Sequence, residues 1–135
     1  MTTTIPTSTQ ASHLVLAEVA TASRNWIAAF NRGDVDTCVA TYLPNAEMVA
    51  APMGTYIGHQ QIDDFWRPFV AQGAGELVYS QVKLSEESDG SVLLAATWSM
   101  NVAAGEIHKE RWIKDDQGAW RLAFDHFEVL EQKKA

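Results

Sequence analysis

The sequence predicts an α+β fold, a curved antiparallel sheet (a cone) packed on three N-terminal helices. Three observations predict it. Apolar residues recur at helical spacing through much of the first half of the chain. The second half changes to long strand-like runs broken by turn residues, the Asp-Asp-Gln-Gly of 115–118 among them. Helices and strands are segregated along the chain, which argues against a doubly wound parallel sheet.

A first helix is expected over 12–31. Leu14, Leu16, Val19, Ala22, Trp26, Ile27 and Phe30 fall near helical spacing, with Ser12 as N-cap and Gly33 as stop. Asp34 should cap a shorter helix, 35–43, that Pro44-Asn45 ends. Short strands follow at 47–51 and 55–58, separated by Pro52 and a turn at Met53-Gly54. Ile62, Phe65, Trp66 and Phe69 mark a third helix, 59–72, which Pro68 should kink or end locally. Longer strands are expected at 76–85, 91–102, 106–114 and 120–130, with a tight turn at Ala104-Gly105. Residues 1–11 read as a disordered tail and 132–135 as a C-terminal tail, leaving one domain at 12–131. Helices on one face of a curling sheet leave an opening between the layers, a natural small-molecule pocket.

The chain has 135 residues, 47% hydrophobic and 20% charged, ordinary values for a folded globular domain. Ten basic against 17 acidic residues give a net charge of −7, and the longest basic run is Lys133-Lys134. Neither nucleic acid nor an anionic membrane surface is an expected partner. No apolar run approaches a membrane span, and the start lacks the pattern of a secretory signal, so a cytoplasmic location is expected. The single cysteine, Cys38, excludes an internal disulfide and a cysteine zinc cage. No Gly-rich phosphate loop and no convincing metal spacing is present, since His108, Glu110 and Asp125 form a common strand pattern. No metal and no cofactor are expected.

One order of motifs stands out. Trp26-Ile-Ala-Ala-Phe-Asn-Arg-Gly-Asp-Val-Asp36 precedes Tyr42-Leu-Pro-Asn-Ala-Glu47, then Gly54, then Gly58-His-Gln-Gln-Ile-Asp-Asp-Phe-Trp66. The chain closes on Arg111-Trp-Ile-Lys-Asp-Asp-Gln-Gly-Ala-Trp-Arg-Leu-Ala-Phe-Asp-His126. Over about 14–130 this resembles the nuclear-transport-factor-2-like superfamily, in its ketosteroid-isomerase-like and SnoaL-like branches. The resemblance implies a cone-shaped fold and commonly a dimer. It leaves function open, because the cone hosts isomerases, cyclases, dehydratases, epoxide hydrolases and proteins with no chemistry. Ketosteroid isomerases carry an Asp base just before the proline that resembles Pro52, where this chain has Ala51. Their Tyr oxyanion donor matches Trp26, and their protonated Asp matches Glu110. Steroid isomerisation by that mechanism is therefore not expected. SnoaL-like cyclases place a working Asp where Asp125 stands and a His approximately at His108. The Arg/Asp pair of epoxide hydrolases is missing at Trp98-Ser-Met100.

The residues themselves supply candidates. His108 and Glu110 lie two apart on one expected strand and so share a face with Glu106 and Trp112. Facing the cup, Glu110 would have its pKa raised by desolvation, and His108 beside it could pass a proton. Facing solvent, they would form a surface charge ladder. Asp125 has a parity conflict: Trp120, Leu122 and Phe124 alternate as the apolar set, which puts Asp125 on the other face and His126 with them. Asp125 reaches the cavity if that apolar set packs outward against a second subunit, or if a bulge shifts the register. Otherwise it would pair with Arg111 or Arg121. Trp26, Phe30, Tyr42, Tyr56, Trp66, Trp98, Met100 and Phe127 are the expected pocket walls; His59 reads as a surface residue at a helix start and His13 as part of the frayed N-terminus. The expected function is binding of a small hydrophobic, carbonyl-containing molecule, with Asp125, His108 and Glu110 catalysing cofactor-free isomerase, cyclase or dehydratase chemistry. A homodimer through the outer sheet face, burying Trp120, Leu122, Phe124 or residues such as Val92, is expected with it. The alternative is a non-catalytic ligand-binding or oligomerisation module, the kinase-association type included.

Overall fold

The hydrophobic periodicity resolves, in a computed structural model, into three helices and six strands among the described residues. The structure describes the backbone of residues 8–133 and the side chains of 13–133. The order is α1 (Ser8–Asn31), α2 (Val35–Thr41), β1 (Tyr42–Ala51), β2 (Gly54–Ile57), α3 (Gly58–Ala71), β3 (Val78–Glu86), β4 (Val92–Ser99), β5 (Ala103–Lys114) and β6 (Trp120–Gln132). Of the expected tail, 1–7 lie outside the described residues, as do 134–135 at the other end. The first helix is already formed at Ser8, upstream of the expected cap at Ser12.

Each helix is held by a stripe. α1 buries Val19, Trp26, Ala29 and Phe30, and α3 buries Ile62 and Trp66. Asp34 caps α2 as its position predicts, accepting from the Thr37 N–H at 3.1 Å and the Thr37 hydroxyl at 2.6 Å. Pro68 falls close enough to the end of α3 that the helix runs three residues past it.

The sheet order is β2-β1-β6-β5-β4-β3, open at both edges. The four long strands β3 to β6 pair antiparallel as expected, and the sheet as a whole is mixed. Four neighbour pairs are antiparallel, but β1 and β6 run parallel. Tight turns dictate antiparallel pairing only between strands adjacent in sequence, and β1 meets β6 across a long connection that imposes no direction.

The turn between β4 and β5 also moves. Met100 N donates to Ala103 O at 2.8 Å, closing the reversal earlier than Ala104-Gly105. Gly105 instead lies inside β5, where an added Cβ would overlap the Glu128 carbonyl oxygen. The glycine serves a close strand approach. Register shifts interrupt the β5/β6 pair between Ala104 and Gly105, Ile107 and Lys109, and Arg111 and Trp112. The last two decide which side chains enter the core.

Candidate active site

On β5, Ile107 pairs with Phe127 and Lys109 with His126, so His108 is the extra residue of a bulge. A bulge reverses the alternation. Ile107 and Glu110 therefore share the inner face, and His108 turns outward. There its Nε2 lies 2.8 Å from Glu128 Oε1 and its ring 4.9 Å from that of His126. The expectation that His108 and Glu110 share a face fails for this reason, and His108, Glu110 and Asp125 do not converge.

A second bulge acts on β6. Trp112 pairs with Leu122 and Arg111 with Phe124, leaving Ala123 as the extra residue. Leu122 and Asp125, three apart, both point inward, which resolves the parity conflict in favour of a buried Asp125. Leu122 and Val92 are buried in the core, and the Trp120 indole donates to Glu18 of α1 at 2.8 Å. These three belong to the inner packing, so an outer interface would have to use others. The surface ion pairs expected for Asp125 go elsewhere: Arg111 to Asp89 at 2.7 Å and Arg121 to Asp115 at 3.2 Å.

Glu110 and Asp125 are direct cross-strand partners and are 3% and 4% exposed. Each is held by aromatic donors. The Tyr42 hydroxyl donates to Asp125 Oδ2 at 2.7 Å, and Trp66 Nε1–H approaches the Tyr42 oxygen at 3.4 Å. The Tyr79 hydroxyl lies 2.7 Å from Glu110 Oε2, and Trp112 Nε1–H donates to Oε1 at 2.9 Å. Desolvation raises Glu110 to about 8; the Asp125 charge adds to the rise, while Tyr79 and Trp112 oppose it. Desolvation likewise raises Asp125 to about 7 against the Tyr42 hydrogen bond. Burial, with the carboxylates beside them, pushes both tyrosines well above their ordinary value.

Asp125 lines a chamber of about 20 Å³, with Tyr79 and Ile107 on its wall. A larger apolar hollow of about 330 Å³ lies beside it, bounded by Phe65, Phe69 and Val129 among others. Trp66, Trp98, Met100 and Phe127 line both spaces and form the partition between them. Two buried polar atoms have no hydrogen-bond partner among the described residues: Trp98 Nε1 and Asp125 Oδ1.

Of the expected walls, Trp26, Trp66, Trp98, Met100 and Phe127 line the chamber. Phe30 stacks behind Trp26 at 5.4 Å, Tyr42 holds Asp125, and Tyr56 packs against Phe65 away from both spaces. The Trp26 indole is committed to Cys38 O at 3.2 Å. Sequence reasoning missed Tyr79 as a site residue, although its alternation with Leu77 was a usable signal, since both line the chamber.

The chain matches the family model of the SnoaL-like domain over residues 23–134. None of the curated protein sequences compared with it matches. Among solved structures it is similar to ActVI-ORFA from Streptomyces coelicolor, with 16% identity, 84% of this chain and 95% of that one covered, and a TM-score of 0.72. A ketosteroid isomerase-like protein from Erwinia carotovora atroseptica gives 18%, 86%, 96% and 0.72. A provisionally assigned scytalone dehydratase from Novosphingobium aromaticivorans gives 10%, 90%, 88% and 0.77. At these identities the likeness speaks for the fold.

Proposed function

The chain belongs to the SnoaL-like domain family, and on that premise we propose that it binds a small hydrophobic, carbonyl-containing molecule and moves protons on it without a cofactor. The observation that carries this reading is the Glu110/Asp125 pair, two buried carboxyls facing each other across adjacent strands beside an apolar cavity. Two such groups cannot both ionise cheaply, so near neutral pH the pair holds one proton. That singly protonated pair is the working state.

Asp125, ionised and with Oδ1 uncommitted, accepts a proton from the carbon beside the carbonyl. Glu110 keeps its proton and donates it in a hydrogen bond to the Tyr79 oxygen. The Tyr79 O–H is then released toward the chamber, where it meets the developing enolate oxygen. Returning the proton from Asp125 to another carbon completes an isomerisation with no other reactant. His108, on the outer face, takes no part in this reading. Hydrogen–deuterium exchange beside the carbonyl of a panel of cyclic ketones, followed by NMR, tests it. Asp125→Asn and Glu110→Gln should each slow exchange by about 100-fold or more. Undiminished exchange in both variants would remove the mechanism.

One observation favours a second reading, a binding module with no chemistry. The chamber at Asp125 is too small for a ring, whereas the roomier hollow has no titratable side chain in its lining among the described residues. In that case ketones bind without exchange. A homodimer through the outer sheet face belongs to both readings. Its support is the outward row Leu93–Arg111–Phe124 across three strands, and light scattering should return twice the chain mass.

A further inference from the structure

Two residues of the chamber wall each carry an unused polar atom. Trp98 Nε1–H is a donor, Asp125 Oδ1 is an acceptor, and neither has a partner among the described residues. Both residues line the same space. Trp98 is 3% exposed and Asp125 4%, so bulk water serves neither atom. A buried unpaired donor or acceptor is costly, and two on one small cavity call for a shared partner. The space of about 20 Å³ suits a single water-sized group, which needs at least ~10–15 Å³. Of the rest of the chamber wall, Leu77, Met100, Ile107 and Phe127 are apolar, while the polar atoms of Tyr79, Trp26 and Trp66 already have partners in Glu110, Cys38 and Tyr42.

We propose that the chamber is a single-hydroxyl site: a ligand with an apolar body in the outer hollow places one hydroxyl in the chamber, accepting from Trp98 Nε1–H and donating to Asp125 Oδ1. A hydroxyl is the group that both accepts and donates through one oxygen. An ether lacks the donor, a carboxylate brings a charge against Asp125, and a hydrocarbon leaves both orphans unpaired. The ligand class is therefore an apolar alcohol, a phenol, or the enol of a ketone. A single water takes the same place when no ligand is bound. Of the four side chains that the two spaces share, Met100, unbranched and flexible, is the one that shifts at least cost when a ligand spans them. The inference deepens the reading of Asp125 as part of a ligand site, and it requires binding but no turnover.

Calorimetric titration of the full chain with 2-naphthol and with naphthalene tests it, because the two share a ring body and differ by one hydroxyl. Wild type should bind the naphthol roughly ten- to hundredfold more tightly. Trp98→Phe keeps an aromatic ring in the partition and removes the N–H. In it the preference should shrink to within about threefold, the affinity ratio of the two ligands being the readout whatever happens to naphthalene binding itself. Equal affinities in wild type, or a preference that survives in Trp98→Phe, would overturn the proposal. A crystal structure of the wild type decides the matter should that variant not fold. An oxygen within hydrogen-bond reach of both Trp98 Nε1 and Asp125 Oδ1 supports the site, and a chamber filled by a side chain or dry refutes it. Failure of the catalytic reading would look different: ketone exchange would be absent while the naphthol preference persisted.

Discussion

Replacing either buried carboxyl with its amide should stabilise this protein at alkaline pH. Asp125 is raised to about 7 and Glu110 to about 8, both chiefly by desolvation. In the unfolded chain both return to the ordinary carboxylate range and lose their protons near pH 4. Between there and about pH 7 the native state therefore binds more protons than the unfolded state, and stability falls as pH rises. One retained proton corresponds to a slope of about 1.4 kcal/mol per pH unit, and two to about twice that. With a single retained proton the loss between pH 5 and 7 is about 3 kcal/mol, a large share of a typical domain's ~5–15 kcal/mol. Asp125→Asn removes one titrating group and the repulsion it exerts on Glu110; Glu110→Gln does the converse. Each variant should show a flatter profile and exceed wild type by a few kcal/mol at pH 9. Urea unfolding followed by tryptophan fluorescence, from pH 5 to 9, measures this. Subtracting variant from wild type cancels every contribution the two proteins share. Carboxylates held low by neighbours, such as Asp89 at about 2, stabilise above the ordinary carboxylate range and lose that contribution only as the pH falls below it, outside the window. A wild-type profile flat across pH 5 to 8, or parallel profiles in all three proteins, would refute the buried-pair reasoning.

Other consequences are independent of that pair's stability. Tyr42→Phe removes the hydrogen bond that lowers Asp125, so the Asp125 carboxyl should hold its proton to a higher pH, read by carbon NMR of the labelled side chain. Leu122→Ala should cost about 2–5 kcal/mol in chemical denaturation, because Leu122 is 2% exposed in the core. Gly105→Ala should cost about 1–3 kcal/mol or more, by driving β5 off the Glu128 carbonyl, which hydrogen exchange at the β5/β6 pair would localise. Cys38, 1% exposed with its thiol pushed up to about 12, should resist a thiol reagent in the native protein and react once urea unfolds it.

Much of the fold was legible in the sequence because it is written in local patterns. The stripes of α1 and α3, the cap at Asp34 and the turn at 115–118 each depend on residues within a few positions of one another. The direction of β1 against β6 is not of that kind. It pairs Met48 with Asp125 across most of the chain, and no turn residue specifies it. The site was legible in residue type and illegible in direction. Glu110 and Asp125 could be singled out as acids among apolar neighbours, but plain alternation grouped Glu110 with His108 and set Asp125 apart from Leu122.

Composition and periodicity alone determined an α+β domain with helices on a curved sheet, an acidic surface, and an aromatic-rich interior holding Trp26, Trp66 and Trp98. Tertiary structure alone decided that Glu110 and Asp125 meet inside while His108 joins Glu128 outside. The physical reason is that a strand's alternation has period two, so one extra residue reverses every side chain beyond it. His108 and Ala123 are such residues, and whether a strand bulges there depends on how its neighbour's backbone runs alongside.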